Sequence, residues 1–121
     1  MDDEEVVRDI SNALLSHLGY EAELAVEGVE AIEMYRKAMA SEKPFDMVIL
    51  DLTNKAGMGG AETMVKLLEI DPDIKAIVAT GYANDPIITN FREYGFRGAL
   101  PKPFTLDQLR TALHDALPST L

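Results

Sequence analysis

Three short apolar runs, residues 47–50, 76–79 and 98–100, constrain this 121-residue chain most tightly. Each is too short for a buried helix, and none is broken by a polar residue. Such runs suit strands covered on both faces. Around and between them lie segments with apolar residues at helical spacing. That alternation predicts an α/β fold built on a parallel sheet, with helices on both faces.

The spacing of Val6, Val7, Ile10, Leu14 and Leu18 predicts a helix over residues 4–18, closed by Gly19. Residues 21–26 alternate and predict a strand. A second helix is expected over 29–39, with Ile32, Tyr35 and Met39 on one face and Pro44 closing the loop beyond. Residues 53–60 are Gly-rich and read as a loop. A helix over 61–70 is stopped by Asp71-Pro72, and Asp85-Pro86 opens another that reaches Tyr94. Thr105, with Gln108 three residues on, has the spacing of a capping box. Leu106, Leu109, Leu113 and Leu117 then form the buried face of the last helix. The whole, residues 1–121, reads as one domain, with 118–121 a tail or linker stub.

The formal net charge is -10, with 11 Lys and Arg against 21 Asp and Glu. That balance excludes a basic nucleic-acid stripe and disfavours anionic membranes. No apolar run approaches the roughly 20 residues of a membrane span, and the acidic start is unlike a signal peptide. Cysteine is absent, so disulfides and thiolate metal sites are excluded. A cytoplasmic setting is expected.

Ligand sites in open parallel sheets form beyond the carboxyl ends of the strands. Here those ends deliver Asp51, Thr80 and, after the last strand, Lys102. Asp2 and Asp3 precede the first helix, where an opening strand would end. Clustered carboxylates repel one another and favour a hard divalent cation such as Mg²⁺. Thr80 and Lys102 supply a hydroxyl and a positive charge, both suited to phosphoryl oxygens. Taken singly, each residue has an ordinary structural use; the combination and its order along the chain carry the reading. His17 and His114 read as ordinary helix residues.

Together, Asp2-Asp3, the run 48–51, the run 77–81 and Lys102-Pro103-Phe104 resemble the response-regulator receiver domains of two-component signalling. The resemblance extends from Asp2 to about Leu117. The wording of residues 80–82 and 95–98 is similar to receivers of hybrid sensor histidine kinases. The resemblance implies a flavodoxin-like fold: a five-stranded parallel sheet in the order 2-1-3-4-5. It implies Asp51 as phosphoacceptor, with Mg²⁺ held by Asp3, Asp51 and the Thr53 carbonyl, and Asp2 helping directly or through water. Thr80 and Lys102 would contact the phosphoryl group, and the Lys102-Pro103 bond is commonly cis. The implied donor is a phosphohistidine on a histidine kinase or histidine phosphotransfer protein. Such a chain is not an enzyme beyond catalysing its own phosphorylation and slow dephosphorylation.

Three departures accompany the resemblance. The family's opening strand has no counterpart before Asp2. It lies upstream in the natural protein, is supplied by another chain in a dimer or swap, or the sheet is truncated or rearranged. Ala99 stands where many receivers carry a switching Tyr or Phe. The loop after Asp51 lacks the usual proline, has extra glycine and carries Lys55, which reads as a solvated lysine. Two alternatives to a phosphoacceptor follow. One is an interaction module independent of phosphorylation. The other is an aspartate-based phosphatase, which needs a general acid that Thr53 cannot supply.

Overall fold

The computed structural model of the chain describes residues 1–53, 57–82 and 84–117. The helices are α1 (Glu5–His17), α2 (Gly28–Met39), α3 (Gly60–Ile70), α4 (Pro86–Thr89) and α5 (Leu106–Ala116); the strands are β1 (Val48–Asp51), β2 (Ala76–Thr80) and β3 (Gly98–Pro101). The strands form one parallel sheet in the order β1-β2-β3, with Asp51 beside Ala79 and Thr80 beside Pro101.

Alternation along β2 sorts its side chains between two cores. Ala76 and Val78 face Leu50, Met64, Leu67 and Phe96, under α2 and α3. Ile77 and Ala79 face Leu100, Leu109 and Leu113, with Leu14, Leu15 and Leu18 of α1 packed alongside. All five residues of β2 are buried, as a strand covered on both faces requires. The α/β sheet with helices on both faces is thus observed. The α5 capping box forms in both directions: the Gln108 amide donates to Thr105 Oγ1 at 3.1 Å, and the Thr105 amide to Gln108 Oε1 at 2.8 Å. Asp85 caps α4, with Pro86 at its first turn.

Two expectations need correction. Residues 21–26 form no strand in the described chain; Leu24 and Val26 are 38% and 37% exposed. A strand needs a neighbour with a matching edge, and here the neighbour is two residues long. The Met1 ammonium donates to the Ile49 carbonyl at 2.7 Å, the Asp51 amide to the Met1 carbonyl at 3.0 Å, and the Asp2 amide to the Ala25 carbonyl at 3.0 Å. Met1 therefore sits opposite Leu50 in parallel register, and Asp2 links it to residue 25. Among the described residues the sheet has three strands, with this short stub on its β1 edge. Behind the stub lies a slot of about 1100 Å³, lined by Leu15, Leu24, Met34, Phe45, Met47 and Ile49 among others. No residue of α1 is fully buried, and Val6 and Ile10 are exposed.

The helix expected to reach Tyr94 instead stops at Thr89 and gives way to a 3-10 turn, Phe91–Tyr94. Asn90 leaves helical geometry at φ -116° and ψ 37°. Thr and Asn both favour turns over helix interiors. The tail, residues 118–121, and Lys55 lie outside the described residues.

Candidate functional site

The carboxyl ends of β1 and β2 and the turn after β3 place three polar groups on one edge of the sheet. Asp51 ends β1 at 1% exposure, and Thr80 ends β2, also at 1%. The Lys102 amide donates to the Thr80 carbonyl at 2.8 Å, which fixes the lysine beside β2. The peptide bond that follows it, Lys102-Pro103, is cis. Asp2 is drawn to the same edge by the backbone bonds of Met1 and is 7% exposed.

The Lys102 ammonium bridges two carboxylates, with Nζ 2.8 Å from Asp2 Oδ2 and 3.1 Å from Asp51 Oδ1. Desolvation pulls the lysine pKa down, but bonds and attraction from Asp2 and Asp51 outweigh it and raise it above the ordinary value. Asp51 Oδ1 also accepts from the Thr53 amide at 3.3 Å and the Thr53 hydroxyl at 3.2 Å. Asp51 Oδ2 is buried and has no hydrogen-bond partner among the described residues. The Thr80 hydroxyl accepts from the Tyr82 amide at 3.2 Å, which orients its oxygen at the strand end.

Asp2 is itself held in place. Its Oδ1 accepts from the Glu4 amide at 3.0 Å, and its carbonyl accepts from Arg8 at 2.9 Å. Carboxylate oxygens of Asp2, Asp3 and Glu4 lie within 4.8 Å of one another. Of the residues expected from sequence, the structure brings Asp2, Asp51, Lys102 and Thr53 into direct contact. It sets Asp3 beside Asp2, and Thr80 at the end of the next strand. Glu4 and Arg8 were missed. The acidic run at residues 2–5 was the signal for Glu4; Arg8 acts through a backbone carbonyl, which no motif announces.

The donors gathered here are hard oxygens, and one of them is a buried carboxylate oxygen without a partner. Such a set fits Mg²⁺, which takes one or two carboxylates and keeps several waters. The Lys102 bridge already neutralises part of the charge, so a cation would share the site with the ammonium.

The chain is similar to known proteins along nearly its whole length. The response regulator receiver domain model matches residues 1–114. Sporulation initiation phosphotransferase F of Bacillus subtilis is 31% identical over 98% of this chain and 90% of its own length. Sensor kinase CckA of Brucella abortus is 35% identical over 97% of this chain, which spans only 12% of that protein. Among solved structures, the receiver domain of NtrX from Brucella abortus superposes with a TM-score of 0.85 at 22% identity, covering 98% of this chain and 96% of that one. The family match, the relatives and the shared fold converge: this chain belongs to the response regulator receiver domain family.

Proposed function

We propose that the chain accepts a phosphoryl group on Asp51 from a phosphohistidine of a histidine kinase or phosphotransfer protein, with Mg²⁺ in the acidic site. The observation that carries this reading is Asp51 Oδ2, buried and without a partner beside a lysine that already holds the other oxygen. Burying a carboxylate oxygen without a hydrogen bond is costly, and a site that receives an electrophile there puts that oxygen to use. In the reaction Asp51 Oδ2 attacks phosphorus, the phosphorus–nitrogen bond breaks, and the imidazole leaves with the electron pair.

Asp2, Asp3, Asp51 and the Thr53 carbonyl are the residues proposed to hold Mg²⁺. Bound there, the ion neutralises charge on the phosphoryl oxygens. Lys102 exchanges its bond to Asp51 Oδ1 for one to a phosphoryl oxygen. Thr80 turns its hydroxyl toward another. Asp51 and Thr80 sit at buried, paired strand ends, which supports a site whose backbone is formed before the phosphodonor arrives.

The test is incubation with Mg²⁺ and a small phosphodonor, followed by intact mass. The wild type is expected to gain one phosphoryl group, and Asp51→Asn none. No gain by a folded wild type would overturn the reading and leave the interaction module standing. Release of many equivalents of phosphate from an ester, lost in Asp51→Asn, would instead establish a phosphatase.

A further inference from the structure

Glu27 stands at the amino end of α2, where capping alone favours a shorter side chain such as Ser, Thr, Asp or Asn. It caps the helix nevertheless: Oε1 accepts from the Glu30 amide and Oε2 from the Val29 amide, both at 3.0 Å. The extra methylene has a second use. Oε2 also accepts from the Met58 amide, 31 residues away, at 3.2 Å. The next residue answers in kind, because the Gly28 amide donates to the Met58 carbonyl at 2.9 Å. Both backbone polar groups of Met58 are thus held by the first two residues around the start of α2.

Residues 58–60 in turn rest on the acceptor's own backbone. A Cβ at Gly60 would lie 2.7 Å from the Asp51 carbonyl oxygen and 3.2 Å from Leu52 Cα. A Cβ at Gly57 would lie 2.7 Å from Glu27 Oε2. Backbone therefore packs against backbone from α2 through Met58 and Gly60 to the peptide that follows Asp51. The hydrogen bonds from three amides also depress the Glu27 pKa, those of Val29 and Glu30 first, so the carboxylate stays charged and accepting near neutral pH.

Resting on the acceptor reading above, we propose that Glu27 is a positioning residue for the site. By tying Met58 to α2 it presses residues 58–60 against the Asp51 carbonyl, and so fixes the backbone of residues 51–53 that carries the acceptor and the Thr53 carbonyl. It touches neither donor nor metal.

The deciding variant is Glu27→Asp, which keeps the charge and caps well but falls one methylene short of Met58. Three readouts are made on the whole chain: amide hydrogen exchange at Met58, Val29 and Glu30; Mg²⁺ affinity by calorimetry; and the rate of phosphorylation by a small phosphodonor. Met58 exchange is expected to quicken by about fivefold or more, while Val29 and Glu30 stay protected. Mg²⁺ affinity and phosphorylation rate should each fall by about fivefold, with circular dichroism unchanged. Glu27→Ser, another good cap that cannot reach, should do the same to Met58. Faster Met58 exchange with wild-type Mg²⁺ affinity overturns the proposal, as does wild-type Met58 protection in both variants. A wild type that binds Mg²⁺ but takes no phosphoryl group sinks the acceptor reading alone, and the calorimetric arm still decides the role of Glu27.

Discussion

Lys102 is the residue on which the site's electrostatics turn. Its ammonium lies within 3.1 Å of two carboxylates that are nearly out of water. Removing it leaves like charges facing each other, and breaking one side of a buried pair costs more than the pair contributes. Lys102→Met is therefore expected to lower stability by about 2 kcal/mol in urea unfolding. Millimolar Mg²⁺, which substitutes a cation among the same oxygens, should restore part of that loss. An unchanged unfolding midpoint would contradict the bridge. The pH dependence has a definite sign. The folded lysine pKa is raised, so its stabilisation is complete below the ordinary lysine pKa and is lost as pH climbs through the folded value. Alkaline unfolding of the wild type should thus set in above about pH 10, and Lys102→Met should flatten that limb. At this scale the sequence was informative through combination. Asp51 ending one apolar run, Thr80 ending the next and Lys102 ahead of a proline are each ordinary alone, and their order along the chain pointed to one site. Glu27 gave no such signal, because its reach to Met58 depends on a loop 31 residues away.

At the scale of elements, what was legible was local. The α5 capping box lies within four residues, and both of its bonds form. Thr105→Ala should cost about 1 kcal/mol, read as a shift in the urea midpoint without a change in slope. The strand expected at residues 21–26 was not legible, because alternation reports a face and not a partner; with only Met1 and Asp2 to pair, the segment stays irregular. Likewise, the break after Thr89 turns on a side-chain preference that apolar spacing does not register. One link between elements was invisible in the pattern. The Tyr35 hydroxyl of α2 donates to Asp71 Oδ2 at 2.6 Å, across from α3's end, while its ring stacks on Phe45 at 6.3 Å. Burial and then the Asp71 carboxylate push the tyrosine pKa well up. Tyr35→Phe keeps the stack and loses the bond, so it should cost about 1–2 kcal/mol near neutral pH. The difference from wild type should shrink above about pH 10, where the wild type must hold its phenol protonated against the solvent. A deficit that persists there would assign the cost to packing instead.

At the scale of the whole molecule, the slot of about 1100 Å³ beside β1 has a chemistry that specifies what fits. In the parallel ladder the Val48 and Leu52 amides donate toward β2, at 2.9 Å to the Lys75 carbonyl and 2.8 Å to the Ala79 carbonyl. Alternation then turns the Ile49 and Asp51 amides the other way, and Asp51 meets Met1 there. A chain continued backwards from Met1 in the same register would bring its second residue opposite Val48, accepting from the Ile49 amide and donating to the Met47 carbonyl. The slot is lined by Leu15, Met34, Phe45 and Ile49, together with charged residues such as Lys37, Lys43 and Asp46, so a strand whose side chains meet the apolar part of that lining should itself be apolar. Fusing Val-Leu-Ile-Val ahead of Met1 tests this. Each side chain buried contributes about 1.5–3 kcal/mol, against about 1–2 kcal/mol for ordering its backbone. A rise in Tm of at least about 5 °C is expected. The extension also replaces a buried ammonium with an amide. Desolvation lowers the amino-terminal pKa in the fold, so the unextended chain binds fewer protons folded than unfolded. Its stability should rise as pH increases toward about 8, and the extended chain should lose that slope. An extended chain with unchanged Tm, the same pH slope and an Ile49 amide still exchanging freely would show that the slot does not take a strand, and that Met1 and Asp2 hold the site's acidic corner unaided.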